Sequence, residues 1–136
     1  MSAERRVNFG CEATIRMRFS DELSAHELDE KLKMQVRDIL IDLAEYLDTD
    51  IVEYTEHHFP GHGTTACAIL SSSHAIMHTW PESRCAVISV YCCTRESVKL
   101  IKKMTVLGIM DSMLKYGFKN TKIWHKYNVV AIPLDM

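Results

Sequence analysis

Apolar residues follow two different periods along this chain, and each period predicts a type of secondary structure. From residue 11 to residue 19 the odd positions are apolar and the even positions are polar or charged, which predicts a half-buried strand. Ser24 and Glu27 have the spacing of a helix N-terminal capping box, and apolar residues then recur every three or four positions up to Leu47. This second period predicts one long amphipathic helix of about six turns.

Shorter β-prone segments, separated by residues that favour turns, follow this helix. Phe59, Pro60 and two glycines form one turn-rich interruption, and Pro81 begins a turn, 81–84, that can join two strands into a hairpin. The expected strands are 51–55, 64–70, 75–79 and 85–91, with 121–125 and 129–132 closing the chain.

A second helix is expected within this series of strands. Thr94 can cap its N-terminus, and Gly117 suits its C-terminal end. Met104 and Met110 are expected to fill the core beside it. The other core-facing positions of this helix are Val98, Ile101, Thr105, Ile109 and Met113.

The order strand, helix, several strands, helix, strands predicts an α+β fold. We expect a two-layer α/β sandwich in which a mainly antiparallel sheet carries helices on one face. No linker or low-complexity segment divides the chain, and 136 residues suit one globular unit. Residues 1–136 are therefore expected to form a single domain.

Charge and hydropathy narrow the class of partner. Sixteen basic residues oppose 18 acidic residues, which gives a formal net charge of -2 without a long run of one sign, so we expect no nucleic-acid partner. The longest apolar runs fall far short of the roughly 20 residues of a membrane helix, and no secretory signal is recognisable. These observations predict a cytoplasmic protein with no membrane partner.

The five cysteines are odd in number and lack CxxC spacing, so a reducing compartment is expected to keep them as thiols. A zinc site built from histidine pairs and Cys92 with Cys93 fits no common ligand spacing, and we expect no metal site. The cysteines are Cys11, Cys67, Cys85, Cys92 and Cys93.

Residues 71–82 concentrate the groups that can do chemistry. Serines, two histidines, a tryptophan and a carboxylate stand there within an otherwise apolar strand region, where polar groups are costly without a function. Strand alternation places His74 and His78 on one face and Ser73 on the other. We therefore expect a turn or bend that brings Ser73 across to His78.

The segment Ser73-His74, then three residues, then His78-Thr79-Trp80-Pro81-Glu82 resembles a known family. Prokaryotic S-adenosylmethionine decarboxylase proenzymes have Glu-Ser-His, three residues and His-Thr-Trp-Pro-Glu. The chain length, a phenylalanine with a nearby histidine upstream and a cysteine eleven residues after the glutamate are similar too. The resemblance implies a two-layer α/β sandwich that forms a homodimer with sites at the interface, and a serine that becomes a pyruvoyl group by self-cleavage.

The residue types in this segment can also carry out self-cleavage to a pyruvoyl group, apart from any resemblance. A serine hydroxyl can attack the preceding carbonyl and convert the peptide into an ester, and a neutral imidazole can remove the proton that elimination requires. Hydrolysis then leaves an N-terminal pyruvoyl group. Its ketone can form a Schiff base with a substrate amine and accept the electrons released when carbon dioxide leaves.

The resemblance also implies a role for each matching residue. Ser73 takes the place of the pyruvoyl precursor, and Ser72 that of the residue whose carbonyl is cleaved, which would give fragments 1–72 and 73–136, the β and α chains. His78 and Thr65 take the places of the processing histidine and a processing hydroxyl. The remaining matches are Phe59 for stacking on adenine, Glu82 for holding the ribose hydroxyls and Cys93 for donating a proton to the product carbon.

Three departures from the family pattern leave three functions open. Ser72 replaces a glutamate, Ser89 an aspartate and Thr94 a glycine. The leading function is decarboxylation of S-adenosylmethionine, which supplies the aminopropyl donor for spermidine and other polyamines. The alternatives are a pyruvoyl-dependent arginine or ornithine decarboxylase, and an unprocessed homologue that acts as a regulatory partner.

Overall fold

The computed structural model describes residues 7–71, 73–94 and 98–133, with side chains for 10–71, 73–92 and 105–128. This part of the chain forms six strands and two helices. In chain order they are β1 (Val7–Arg18), α1 (Ala25–Tyr46), β2 (Ile51–Phe59), β3 (Gly63–Leu70), β4 (Ser73–Trp80), β5 (Cys85–Thr94), α2 (Val98–Lys115) and β6 (Lys122–Pro133).

All six strands join one sheet in the order β2-β3-β4-β5-β1-β6, and every neighbouring pair is antiparallel. A short 3-10 turn, Pro81–Ser83, connects β4 to β5 as a hairpin. Arg84 ends this turn in the left-handed conformation, with φ of 53°. The predicted α+β sandwich with a mainly antiparallel sheet is confirmed.

Helix α1 begins where the capping box predicts. The Ser24 hydroxyl accepts a hydrogen bond from the Glu27 backbone N–H, and the Glu27 carboxylate accepts one from the Ser24 N–H, both at 3.1 Å. The apolar stripe of the helix is buried, including Leu32, Ile39 and Leu43. This burial, at roughly 1.5–3 kcal/mol for a large aliphatic side chain, holds α1 against the sheet.

The helices cover one face of the sheet, here called the helix face. Alternate strand residues such as Ile15, Met77 and Ile88 are fully buried there in one core with α1 and α2. The side chains between them are half-buried or exposed on the other face, here called the open face. On the four inner strands the open face carries Glu12, Thr14, Arg16, Arg18, Thr65, Cys67, Ile69, His74, Ile76, His78, Trp80, Cys85, Val87, Ser89 and Tyr91.

Three local predictions were wrong. Thr94 is the last residue of β5 and does not cap α2, because the strand pairs with β1 as far as Phe9. The two closing strands are one continuous strand, β6, since β1 supplies backbone partners along its whole length. Met110 is 46% exposed, whereas Met113 is buried.

Within the described ranges, no helix is long and apolar enough to cross a membrane.

Candidate functional site

A hydroxyl and an imidazole form the most direct chemical pair on the open face. Thr65 on β3 lies directly opposite His78 on β4, and the Thr65 Oγ1 lies 3.0 Å from the His78 Nδ1. The His78 ring also stacks on Trp80, with centroids 5.7 Å apart and planes 28° apart. Two of the residues predicted for processing are therefore in contact, and the imidazole has a fixed orientation.

Phe59 and Glu82 lie at the same end of the sheet as this pair. Phe59 is the last residue of β2 rather than a loop residue, where it pairs with Gly63 and its ring makes an edge contact with His57 at 4.6 Å. Gly63 has φ of +98°, and a side chain there would collide with the Thr79 carbonyl, so the β2-β3 turn packs closely against the end of β4. Glu82 follows in the exposed turn. We call this group of Phe59, Thr65, His78 and Glu82 the Thr65 end.

Ser73 lies at the opposite end of β4. It is the first residue of that strand and already pairs with Leu70, so the bend expected to bring it to His78 is not present. Five residues of extended strand separate Ser73 from His78, which corresponds to roughly 17 Å. The two predicted processing residues are therefore far apart within one chain.

Position 93 lies at the same end of the sheet as Ser73. Cys93 pairs with Gly10 on β1, while Tyr91, two residues before it, pairs with His74. The side chain of Cys93 and all of Ser72 fall outside the described residues. We call this group of Ser73 and Cys93 the Ser73 end.

Cys92 occupies the other side of β5. It is buried on the helix face directly opposite Cys11, and burial raises the pKa of its thiol to about 11. Alternation along the strand then assigns position 93 to the open face. The prediction that only one of these two cysteines can reach a site on that face is consistent with this arrangement.

A chain of hydrogen bonds that the sequence analysis did not predict lies on the helix face, behind the Thr65 end. His58 bonds the Glu56 carboxylate through Nε2 at 3.0 Å and the Thr64 hydroxyl through Nδ1 at 2.9 Å. The Thr64 backbone N–H donates to the Thr79 hydroxyl at 2.8 Å. The sequence signal for this chain of hydrogen bonds is that Thr64 and Thr79 adjoin Thr65 and His78. Strand alternation places these two polar residues on the helix face, directly behind the pair.

Fold and candidate site together define an α/β-sandwich protein whose candidate site residues lie on one antiparallel sheet, divided between its two ends. Among the described residues, no helix covers the open face of that sheet. Residues 23–108 match the family model described as S-adenosylmethionine decarboxylase. The chain belongs to this family.

Individual relatives agree with the family match over a shorter stretch. A protein of Acidithiobacillus ferrooxidans named S-adenosylmethionine decarboxylase proenzyme is 36% identical over 58 residues, which are 43% of this chain and 44% of the relative. One of the same name from Clostridium botulinum is 38% identical over 58 residues, 43% of this chain and 50% of the relative. The matched part thus spans about half the length of these relatives.

A solved structure supports the fold over most of the chain. The crystal structure of the adenosylmethionine decarboxylase from Aquifex aeolicus VF5 superposes with a TM-score of 0.60, covering 88% of this chain and 89% of that one. The sequence identity is 21%, so this comparison establishes a shared fold.

Proposed function

We propose that this chain is a self-processing, pyruvoyl-dependent decarboxylase of S-adenosylmethionine, acting in the cytoplasm to supply the aminopropyl donor for spermidine and other polyamines. Cleavage between Ser72 and Ser73 would give fragments 1–72 and 73–136 of one domain. The hydrogen-bonded Thr65–His78 pair carries the proposal. The His78 imidazole is an oriented base on β4, the strand that begins at Ser73. The Thr65 hydroxyl lies beside this imidazole on the neighbouring strand, β3.

The side chains present fit the formation of a pyruvoyl group. The Ser73 hydroxyl would attack the carbonyl of residue 72, and only that carbonyl is required of Ser72. In the tautomer in which Nδ1–H of His78 donates to the Thr65 hydroxyl, Nε2 is the unprotonated nitrogen that would remove the Ser73 α-proton. Threonine offers the same hydroxyl as the serine that the family has at this position.

The pyruvoyl group would act as the electron sink for loss of carbon dioxide. The chain's own residues would bind the substrate and return the proton. Phe59 is 46% exposed, which leaves its ring face open to an adenine, and the exposed Glu82 carboxylate can accept two hydrogen bonds from a ribose diol. Cys93 would protonate the product carbon.

The division of these residues between two ends of the sheet supports a homodimer. A gap of roughly 17 Å is too long for proton transfer, so Ser73 and His78 of one chain cannot act on each other. Face-to-face packing of two open faces can place the Thr65 end of one chain on the backbone at the Ser73 end of its partner. The Ser73 side chain itself alternates toward the helix face as the first residue of β4. The open face has the apolar groups for such packing, with Ile69, Trp80 and Trp124 at 50%, 39% and 48% exposure.

Self-cleavage is the first test of the proposal. The purified protein is expected to show two masses, those of residues 1–72 and of a pyruvoyl-blocked 73–136. The reason is that Ser73 supplies the attacking hydroxyl and directly follows the peptide bond that is cleaved. A Ser73→Ala variant is expected to stay intact, and the cleaved protein to release carbon dioxide from carboxyl-labelled S-adenosylmethionine. A wild-type chain that stays intact would favour the unprocessed regulatory homologue instead.

Substrate choice is tested at Glu82. Glu82→Gln keeps the size of the side chain but removes the charge that holds two hydroxyls, so KM for S-adenosylmethionine is expected to rise about tenfold or more at unchanged self-cleavage. Asp21→Asn is a control for the loss of one exposed carboxylate, because the Asp21 side chain is 89% exposed, pairs with Arg84 and is not among the residues proposed to bind substrate.

One observation favours the second substrate class. Ser89, where the family has an aspartate, is half-buried in the middle of the open face between Ile76 and Thr14. If the wild type decarboxylates arginine or ornithine in preference to S-adenosylmethionine, and Glu82→Gln leaves that activity unchanged, the alternative decarboxylase replaces the first proposal.

A further inference from the structure

The ring of Tyr91 crosses from β5 to β1 and ends over Gly10. Tyr91 is an open-face residue of β5, and its register partner on β1 is Glu12. A Cβ added at Gly10 would lie 2.6 Å from both Cε2 and Cζ of Tyr91, and closer still to the phenol oxygen. The tyrosine side chain therefore leans two residues along β1, away from its own register partner.

Gly10 is required by this close approach rather than by its backbone conformation. It lies within β1, pairs with both β5 and β6, and is not among the glycines with positive φ. A glycine inside a strand often marks a place where another group comes close to the backbone. At Gly10 that group is the phenol of Tyr91.

His74 on β4 fixes the same ring from the neighbouring strand. Tyr91 and His74 are register partners, and their rings stack with centroids 5.8 Å apart and planes 23° apart. His74 directly follows Ser73, so the stack also holds the residue next to the proposed pyruvoyl position. Contacts on β4 and β1 together give the Tyr91 ring one orientation.

The hydroxyl at the end of this ring lies in the cross-strand row of position 93. Cys93 is the register partner of Gly10 on β5. Cβ positions of register partners in an antiparallel pair are roughly 4.5–5.5 Å apart. Because the Tyr91 hydroxyl occupies the place of the missing Cβ at Gly10, a thiol on the Cβ of position 93 can come within hydrogen-bond distance of it.

A phenol beside a thiol helps that thiol to give up its proton. With an ordinary pKa of about 10, a tyrosine stays protonated at neutral pH and can donate to sulfur. A hydrogen bond to the charged form of an acid favours that form. During proton return the S–H bond would break and a C–H bond would form on the product carbon. The sulfur would keep the electron pair as a thiolate until water reprotonates it, and Tyr91 would keep its own proton.

We propose that Tyr91 is a positioning residue whose hydroxyl donates a hydrogen bond to the sulfur of Cys93. The role of Cys93 as proton donor rests on the proposed function. The contact itself rests on the register of β1 with β5 and on the place of the Tyr91 ring over Gly10.

Two substitutions test the hydroxyl and its placement separately. Tyr91→Phe removes the hydroxyl and keeps the ring on His74, whereas Gly10→Ala keeps the hydroxyl but displaces the ring, because the new Cβ overlaps it. Each is expected to slow alkylation of Cys93 by iodoacetamide at neutral pH about three- to tenfold, since the thiol's pKa rises without the donor and less thiolate is present. Mass spectrometry of the Cys93 peptide gives this rate as a function of pH. Glu12 and His74, the titratable register partners of Tyr91, are unchanged in both variants.

Tyr116→Phe is the matched control. It removes a phenol that bonds Asp42 between the helices at 2.7 Å, and it is expected to leave the Cys93 rate at the wild-type value. A wild-type rate and pH dependence in either Tyr91→Phe or Gly10→Ala would overturn the proposal.

The alkylation assay needs neither cleavage nor turnover, so its result is independent of the proposed decarboxylase. Failure of that function is read separately, as a wild-type chain of intact mass that releases no carbon dioxide. In the cleaved enzyme, Tyr91→Phe is expected to lower kcat by about the same three- to tenfold factor at unchanged KM, because the hydroxyl acts on the proton donor and not on substrate binding.

Discussion

Co-production of a Ser73→Ala chain with a His78→Ala chain is expected to restore a cleavage that neither variant shows alone. In a mixed dimer, one site combines Ser73 of the His78→Ala chain with His78 of its partner, and the other site lacks both groups. Loss of a general base costs about 100- to 10,000-fold in rate, so His78→Ala alone is expected to stay largely uncut. The measurement is intact mass with a different tag on each chain, and only the His78→Ala chain is expected to be cut.

The control replaces the helper chain with a Ser73→Ala/His78→Ala double variant, which offers no imidazole and is expected to leave its partner uncut. Melting temperatures near the wild-type value would show that the variants fold, since His78 is on the open face and fills no core volume. If verified mixed dimers contain only intact chains, or if His78→Ala cleaves alone at the wild-type rate, the shared site is wrong.

The sequence was sufficient for the fold because the decisive signals are local. Ser24 and Glu27 mark the start of α1 through contacts three residues apart, and both hydrogen bonds are present. Alternation from Cys11 to Met17 separates buried from exposed residues in the structure as it does in the sequence. Capping residues and strand alternation can be recognised from residues close together in the sequence, without knowing which distant residues they contact.

The errors lie where backbone pairing or packing, rather than local composition, decides the outcome. Phe59 continues β2 because Gly63 of β3 offers it a backbone partner, and the adjacent Pro60 and Gly61 gave no sign of this. β6 remains one strand because β1 pairs with all of it. Met110 is apolar and at helical spacing, but α2 turns it to solvent and Met113 to the core.

The candidate site could be predicted as a set of residues but not as an arrangement. Alternation correctly places Ser73 and His78 on different faces, but the expected bend that would join them within one chain is not present. The structure instead keeps β4 straight and pairs His78 with Thr65, thirteen residues earlier in the chain. The proposal that a second copy completes the site rests on this separation, a relation that no spacing within one sequence records.

Replacing Cys93 is expected to stop turnover without stopping self-cleavage, whereas replacing Cys92 is expected to affect stability alone. The carbon that loses carbon dioxide must gain a proton, and a thiol with a pKa near 8.5 is mostly protonated at neutral pH yet donates more readily than a hydroxyl. Cys92 is unsuited to this step, because it is buried on the helix face and its thiol has a pKa of about 11. We therefore expect Cys93→Ala to reduce kcat about 100-fold or more.

The matched variant Cys92→Ala removes a buried sulfur and leaves the open face unchanged. It is expected to keep near wild-type turnover and to lose about 1 kcal/mol of unfolding free energy, because the space beside Cys11 is only partly refilled. Both variants are compared after complete cleavage, by following turnover and by measuring with mass spectrometry how much of fragment 73–136 keeps its pyruvoyl group. If the proton is added to the carbon of the pyruvoyl group instead of the product carbon, the pyruvoyl group is converted to an amine. Cys93→Ala is therefore expected to lose its pyruvoyl group faster per turnover. Faster loss in Cys92→Ala, with wild-type behaviour in Cys93→Ala, would contradict the assignment and require a proton donor from another part of the open face.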